Sequence, residues 1–112
     1  MVEADSAKEN LADGLRHVTD NSEIKLVEAA ACGNLQGFGK LCERYYEPMV
    51  AIAYAVLADS HLAQDAAQEA FAKACCNLRQ LKNKEKFAPW LASICRNVAK
   101  DMAVARTRQV NA

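Results

Sequence analysis

The chain has 112 residues and no formal net charge; 52% of its residues are apolar and 25% are charged. That length suits one compact domain, and that balance excludes disordered, fibrous and membrane-embedded classes. The neutrality hides an asymmetry: residues 1–72 carry five Lys/Arg against twelve acids, and residues 73–112 carry nine against two, a split of −7 and +7. A basic half is an electrostatic footprint for nucleic acid, or else a counterpart to the chain's own acidic half.

Alanine is frequent, Gly and Pro are rare, and β-branched runs are absent. This composition favours helices. No basic cluster followed by an apolar stretch opens the chain, so no signal peptide is expected. The longest apolar run, Met49 to Ala58, is too short to span a bilayer. A soluble, cytoplasmic protein with no membrane partner is the expectation. Cys32, Cys42, Cys75, Cys76 and Cys95 form no C-x-x-C pair and have no His at ligand spacing, so neither zinc nor any other metal is expected. Their odd number argues against a disulfide framework and for reduced, mostly buried thiols.

Residues 1–19 are polar and mixed. Leu11, Leu15 and Val18 are spaced for a turn or two of helix, but nothing else supports them, and His17 has no partner in sequence. The segment reads as a flexible extension. Asp20 and Glu23 fit a capping box that opens a short helix through Ala31, with Ile24, Val27 and Ala31 on its inner stripe and Gly33-Asn34 at its end. The second helix runs from about Leu35 to Leu57. Phe38, Leu41, Cys42, Tyr45, Met49, Ile52, Ala53 and Val56 share one face, and Pro48 should bend the helix or mark an irregularity. Tyr45 and Tyr46 read as core residues with exposed hydroxyls.

Asp59 or Ser60 caps a third helix, in which His61 is solvated. At 100° per residue, Ala63, Ala67, Ala70, Phe71, Ala74 and Leu78 fall on one side. Asp65, Gln68 and Glu69 form a compact polar triplet on the other, at i, i+3 and i+4. The triplet suits a solvated outer face or a docking surface for a basic partner. Asn77 to Lys86 is a basic connector of the kind that carries function on a rigid scaffold. The last helix runs from about Phe87 to Arg106, with Phe87, Leu91, Ile94, Val98, Met102 and Ala105 buried, Trp90 at the border and Pro89 tolerated in the first turn. Lys86, Ser93, Arg96, Asn97 and Lys100 gather opposite. The cations suit phosphate, and Asn97 and Ser93 suit the edge of a base.

Arg-Tyr-Tyr-Glu-Pro-Met, Asp-Ala-Ala-Gln-Glu-Ala-Phe and Phe-Ala-Pro-Trp-Leu-Ala-Ser-Ile-Cys-Arg-Asn-Val-Ala-Lys-Asp occur in that order. Together they resemble region 2 of bacterial RNA polymerase sigma factors, most closely the extracytoplasmic-function (ECF) type, over about Glu23 to Arg108. The resemblance implies a domain that binds the clamp helices of the largest polymerase subunit and opens the promoter −10 element on its non-template strand. It assigns Asp65, Gln68 and Glu69 to the clamp helices, with Phe71 holding their helix on the core. It assigns the connector, with Lys82, Asn83, Lys84 and Lys86, to capture of a flipped base, and Arg96, Asn97 and Lys100 to the melted strand. The connector has no aromatic residue, so base capture there would rest on hydrogen bonds. The family's second domain, which reads the −35 element, does not follow the last helix; a fragment of a longer sigma factor or a solitary region 2 is expected.

The expected fold is all-α: a compact bundle of three main helices plus a shorter leading one over residues 20–108, after the 1–19 extension and before a tail at 109–112. No acid–base pair or nucleophile arrangement appears, so neither catalysis nor a cofactor is expected. An anti-sigma factor is a further candidate partner. The rival function is a sigma-like interaction module, held by such a protein, without promoter-melting activity.

Overall fold

The computed structural model describes residues 21–111. The expectations for residues 1–19 and the part of Asp20 in a capping box lie outside them. Four helices follow in order: α1 (Asn21–Ala31), α2 (Leu35–Leu57), α3 (Ser60–Asn77) and α4 (Phe87–Asn111). Two 3₁₀ turns, Leu78–Gln80 and Lys84–Lys86, join α3 to α4. No strand occurs among the described residues, and α2, α3 and α4 pack on one another as a bundle with α1 laid against α2.

Local chemistry sets the boundaries. Gly33, with φ of +99°, turns the chain out of α1 in a conformation that costs glycine little. The Asn34 side chain then accepts from the Gly37 amide at 3.1 Å and starts α2. The lack of a side chain at Gly37 lets α1 come close, since a Cβ there would lie 3.3 Å from the Leu26 carbonyl oxygen. Asp59 accepts from the Leu62 amide at 2.9 Å and starts α3. α2 continues through Pro48.

The α2 C-cap, Ala58, is left-handed at φ 51° and ψ 32°. Its amide donates to the Tyr54 carbonyl at 2.8 Å. An L-residue pays about 1–2 kcal/mol for that conformation, partly offset in glycine by a more flexible unfolded chain. Ala58→Gly is therefore expected to stabilise the domain by roughly 0.5–1 kcal/mol, read as a higher denaturant midpoint with an unchanged slope.

The core is assembled from Leu41, Tyr45, Met49, Ala53 and Leu57 of α2, five alanines and Phe71 of α3, and Phe87, Leu91, Cys95, Val98 and small neighbours of α4. On α3 only Phe71 is large among the buried side chains, so its alanines allow α2 and α4 to approach closely. The Phe87 ring lies 5.6 Å from that of Tyr45 and 6.0 Å from that of half-buried Trp90.

Glu23 is fully buried and accepts from the Tyr45 hydroxyl at 2.8 and 2.7 Å and from Arg44 at 3.1 Å. Three expectations are corrected. The Tyr45 hydroxyl is therefore buried too, whereas Tyr46 is exposed. On α4, Ala105 is exposed while Ala88, Ala92, Cys95 and Ala99 are buried, and the helix continues to Asn111. Finally, the thiols are not mostly buried: all five are free, but Cys32, Cys75 and Cys76 are exposed, Cys42 is half-buried and only Cys95 is fully buried. Burial pushes the Cys95 thiol up, with Arg96 acting in the opposite sense.

Candidate nucleic-acid and protein interface

The outer side of α3 presents Asp65, Gln68 and Glu69, all exposed. Their backbone is held by the alanines and Phe71 on the inner side. Asp65 and Glu69 do not stand on a convex surface. They form one wall of a groove of about 340 Å³ between α3 and α4, completed by Lys73, Val98, Asp101 and Met102. Gln68 lies outside its lining. Three carboxylates and one cation thus surround a floor of valine and methionine. Such a groove accepts an Arg or Lys side chain well: the aliphatic stem covers the floor while the head reaches carboxylates. Sequence reasoning missed the contribution of Asp101 and Lys73 here. The available signal was Lys73 at i+4 from Glu69; nothing in sequence brings Asp101 beside Asp65.

The other side of α4 differs. Ser93, Asn97 and Lys100 lie along its exposed ridge. Arg96, also exposed, leans toward α2 and lines a second groove, about 240 Å³, with Ala51, Ile52, Ala55 and Val56. Asp101 and Arg96 therefore mark opposite flanks of one helix, acidic beside α3 and basic beside α2.

The connector is more ordered than a plain loop. Leu78 and Leu81 are buried and pin it to the core, and α1 touches both 3₁₀ turns. Lys82 and Lys86 are exposed. Asn83 is exposed, but its side-chain oxygen accepts from the Glu85 amide at 3.1 Å and caps the second turn. Lys84 is half-buried, and its ammonium donates to the Leu81 carbonyl. The candidate cations thus divide: Lys82, Lys86, Arg96 and Lys100 point to solvent, while Lys84 serves the local backbone. No group of three His, Cys, Asp or Glu suited to a metal ion occurs among the described residues. No helix among them is long and apolar enough to cross a membrane.

Comparison with known proteins gives one consistent answer. The family model described as Sigma-70 region 2 matches residues 41–109. A probable RNA polymerase sigma factor RfaY of Xanthomonas campestris is 40% identical over 72 residues, 64% of this chain and 18% of that protein. The RNA polymerase sigma-H factor of Pseudomonas aeruginosa is 34% identical over 92 residues, 82% of this chain and 48% of that protein. The ECF RNA polymerase sigma factor SigW of Bacillus subtilis is 30% identical over 77 residues, 69% of this chain and 41% of that protein. The chain thus spans less than half the length of each of these relatives. No solved structure gives a significant match. The matched segment covers most of α2, all of α3, the connector and nearly all of α4, and with it both surfaces described above: the chain belongs to the Sigma-70 region 2 family.

Proposed function

We propose that this domain acts in transcription initiation as the region 2 module of a sigma factor, binding core RNA polymerase through the α3 face and the −10 non-template strand through α4 and the connector. One observation carries the reading: the acidic groove and the outward cations lie on different flanks of α4, so one rigid domain can hold a basic protein surface and a polyanion together. On this reading the clamp helices of the largest polymerase subunit supply the basic side chains that meet Asp65, Gln68 and Glu69. The domain then works beside polymerase in the cytoplasm and supplies binding rather than catalysis. Lys82, Lys86, Arg96 and Lys100 contact phosphates. Ser93 and Asn97 face bases, and Asn83 and Lys84 shape the connector from within. Extruding a base costs a few kcal/mol, which contacts to the strand and its backbone offset.

Strand binding by the reconstituted holoenzyme tests it. Lys100→Ala is expected to weaken all single strands alike and to lower the slope of log affinity against log salt by about 0.7. Asn97→Ala is expected to narrow the gap between a preferred −10 strand and a scrambled one by roughly 1–3 kcal/mol. Equal loss on every sequence for both variants would reduce Asn97 to a backbone contact.

A second reading has its own support. Tyr46, Glu47, Val50, Ala51 and Tyr54 of α2 form, with Gln64, an open and largely apolar groove of about 520 Å³. A protein partner such as an anti-sigma factor is a natural cover for that surface. Polymerase binding without any single-strand binding in the holoenzyme would select this interaction-module reading.

A further inference from the structure

We propose that Cys42 and Cys75 are a reversible dithiol–disulfide pair, a site of modification by hydroperoxides that bridges α2 and α3. The register of the helices brings them level. Only Ala58 and Asp59 separate α2 from α3, so α3 returns antiparallel along α2. Cys42 lies sixteen residues before Ala58, and Cys75 lies sixteen after Asp59. At about 1.5 Å per residue the two stand at the same height above the turn.

Their faces agree as well. Cys42, Tyr46 and Val50 follow one another at i+4 along the same edge of α2, and Gln64, Gln68, Phe71 and Cys75 run along one edge of α3. Nearer the turn, Tyr46 and Val50 of the first edge and Gln64 of the second already line the same groove. Farther from the turn, the same two edges carry the two thiols. Burial pushes the Cys42 thiol up, and the neighbouring Cys75 acts in the same sense. Cys76 is exposed and one residue on, about 100° around the helix and away from α2.

Exposure assigns the roles. Cys75 is open to solvent and meets the oxidant first, while half-buried Cys42 is the resolving thiol. The Cys75 thiolate attacks the terminal oxygen of a hydroperoxide. The O–O bond breaks, the sulfur becomes a sulfenic acid, and the other oxygen leaves as an alkoxide that takes up a proton. The Cys42 sulfur then attacks the Cys75 sulfur. An S–S bond forms, the S–O bond breaks, and hydroxide leaves as water with the proton that Cys42 gives up. Two thiols are oxidised and one hydroperoxide is reduced to an alcohol and water. An external dithiol reverses the change by exchange. The bond ties the end of α3 next to the connector onto α2, and this proposal does not depend on the function proposed above.

The test treats the whole chain with hydrogen peroxide, alkylates it after unfolding and maps its peptides by mass. The expected product is a Cys42-containing peptide linked to a Cys75-containing one, lighter by two hydrogens and restored by dithiothreitol. Cys76→Ser and Cys32→Ser should form it unchanged. Cys42→Ser should instead leave a Cys75 sulfenic acid that dimedone captures, and Cys75→Ser should leave Cys42 reduced. Cys42 remaining fully alkylatable after Cys75 is consumed would overturn the proposal. So would a bridge from Cys75 to Cys76, to Cys32 or to a second chain as the main product.

Discussion

Replacing Asp65 or Glu69 with lysine is expected to lower the affinity for core polymerase by on the order of 3 kcal/mol, roughly 100-fold, while the domain stays folded. Both residues are exposed, and neither has a side chain in the core. Folding therefore has little to lose. Reversal at Asp65 or Glu69 removes one of three carboxylates from the groove over Val98 and Met102 and sets an ammonium there instead. A basic partner side chain then meets repulsion where it met attraction, and like charges facing each other across an interface cost several kcal/mol. Gln68→Ala, outside the groove, should matter less. Titration of labelled domain against purified core polymerase at two salt concentrations measures this. Asp101→Lys extends the test, because the groove gives it the same role from α4. Undiminished affinity in all three reversals would remove the groove from the polymerase interface.

Much of the fold was legible because the helices are long and their caps are local. Asn34 and Asp59 each bond an amide three residues on, so the starts of α2 and α3 could be read to within a residue or so. The connector was not legible in that way. Its 3₁₀ turns are three residues long, too short for any periodic signal, and only the burial of Leu78 and Leu81 reveals that it is pinned. On α4 the large residues suggested a stripe through Ile94 and Ala105. Phe87, Leu91 and Val98 of that stripe are buried, but the face is completed by Ala88, Ala92, Cys95 and Ala99, small side chains that a search for bulk passes over. At the candidate site, exposure of individual acids and cations followed from helical spacing. The groove did not, since Asp65 and Asp101 are brought together only by the docking of α4 on α3. The same limit applies to the bonds of Glu23 to Arg44 and Tyr45, which span 21 and 22 residues of chain.

That buried carboxylate gives the largest expected effect on stability. Tyr45→Phe should destabilise the domain by about 3 kcal/mol, a large part of the 5–15 kcal/mol of a typical domain. The tyrosine hydroxyl lies within 2.8 Å of both Glu23 oxygens, in a site with no solvent exposure at Glu23. The substitution keeps the ring, and with it the contact to Phe87 at 5.6 Å, so the loss isolates the hydroxyl. Arg44 still reaches one oxygen at 3.1 Å, but its side chain is 35% exposed and shares its charge with water. A buried charged acceptor deprived of a donor costs more than the net value of an ordinary hydrogen bond, because the desolvation of the carboxylate is no longer offset. The converse follows from the same asymmetry. Glu23→Leu combined with Tyr45→Phe removes the charge and the hydroxyl together and fills the site with apolar groups of similar size. The double variant should therefore recover most of the loss, a coupling that chemical denaturation of the two single variants and the double variant measures directly. A double variant that loses the sum of the two single losses would mean that the hydroxyl and the carboxylate act independently and that α1 is held on α2 by packing around Val27 and Gly37 instead.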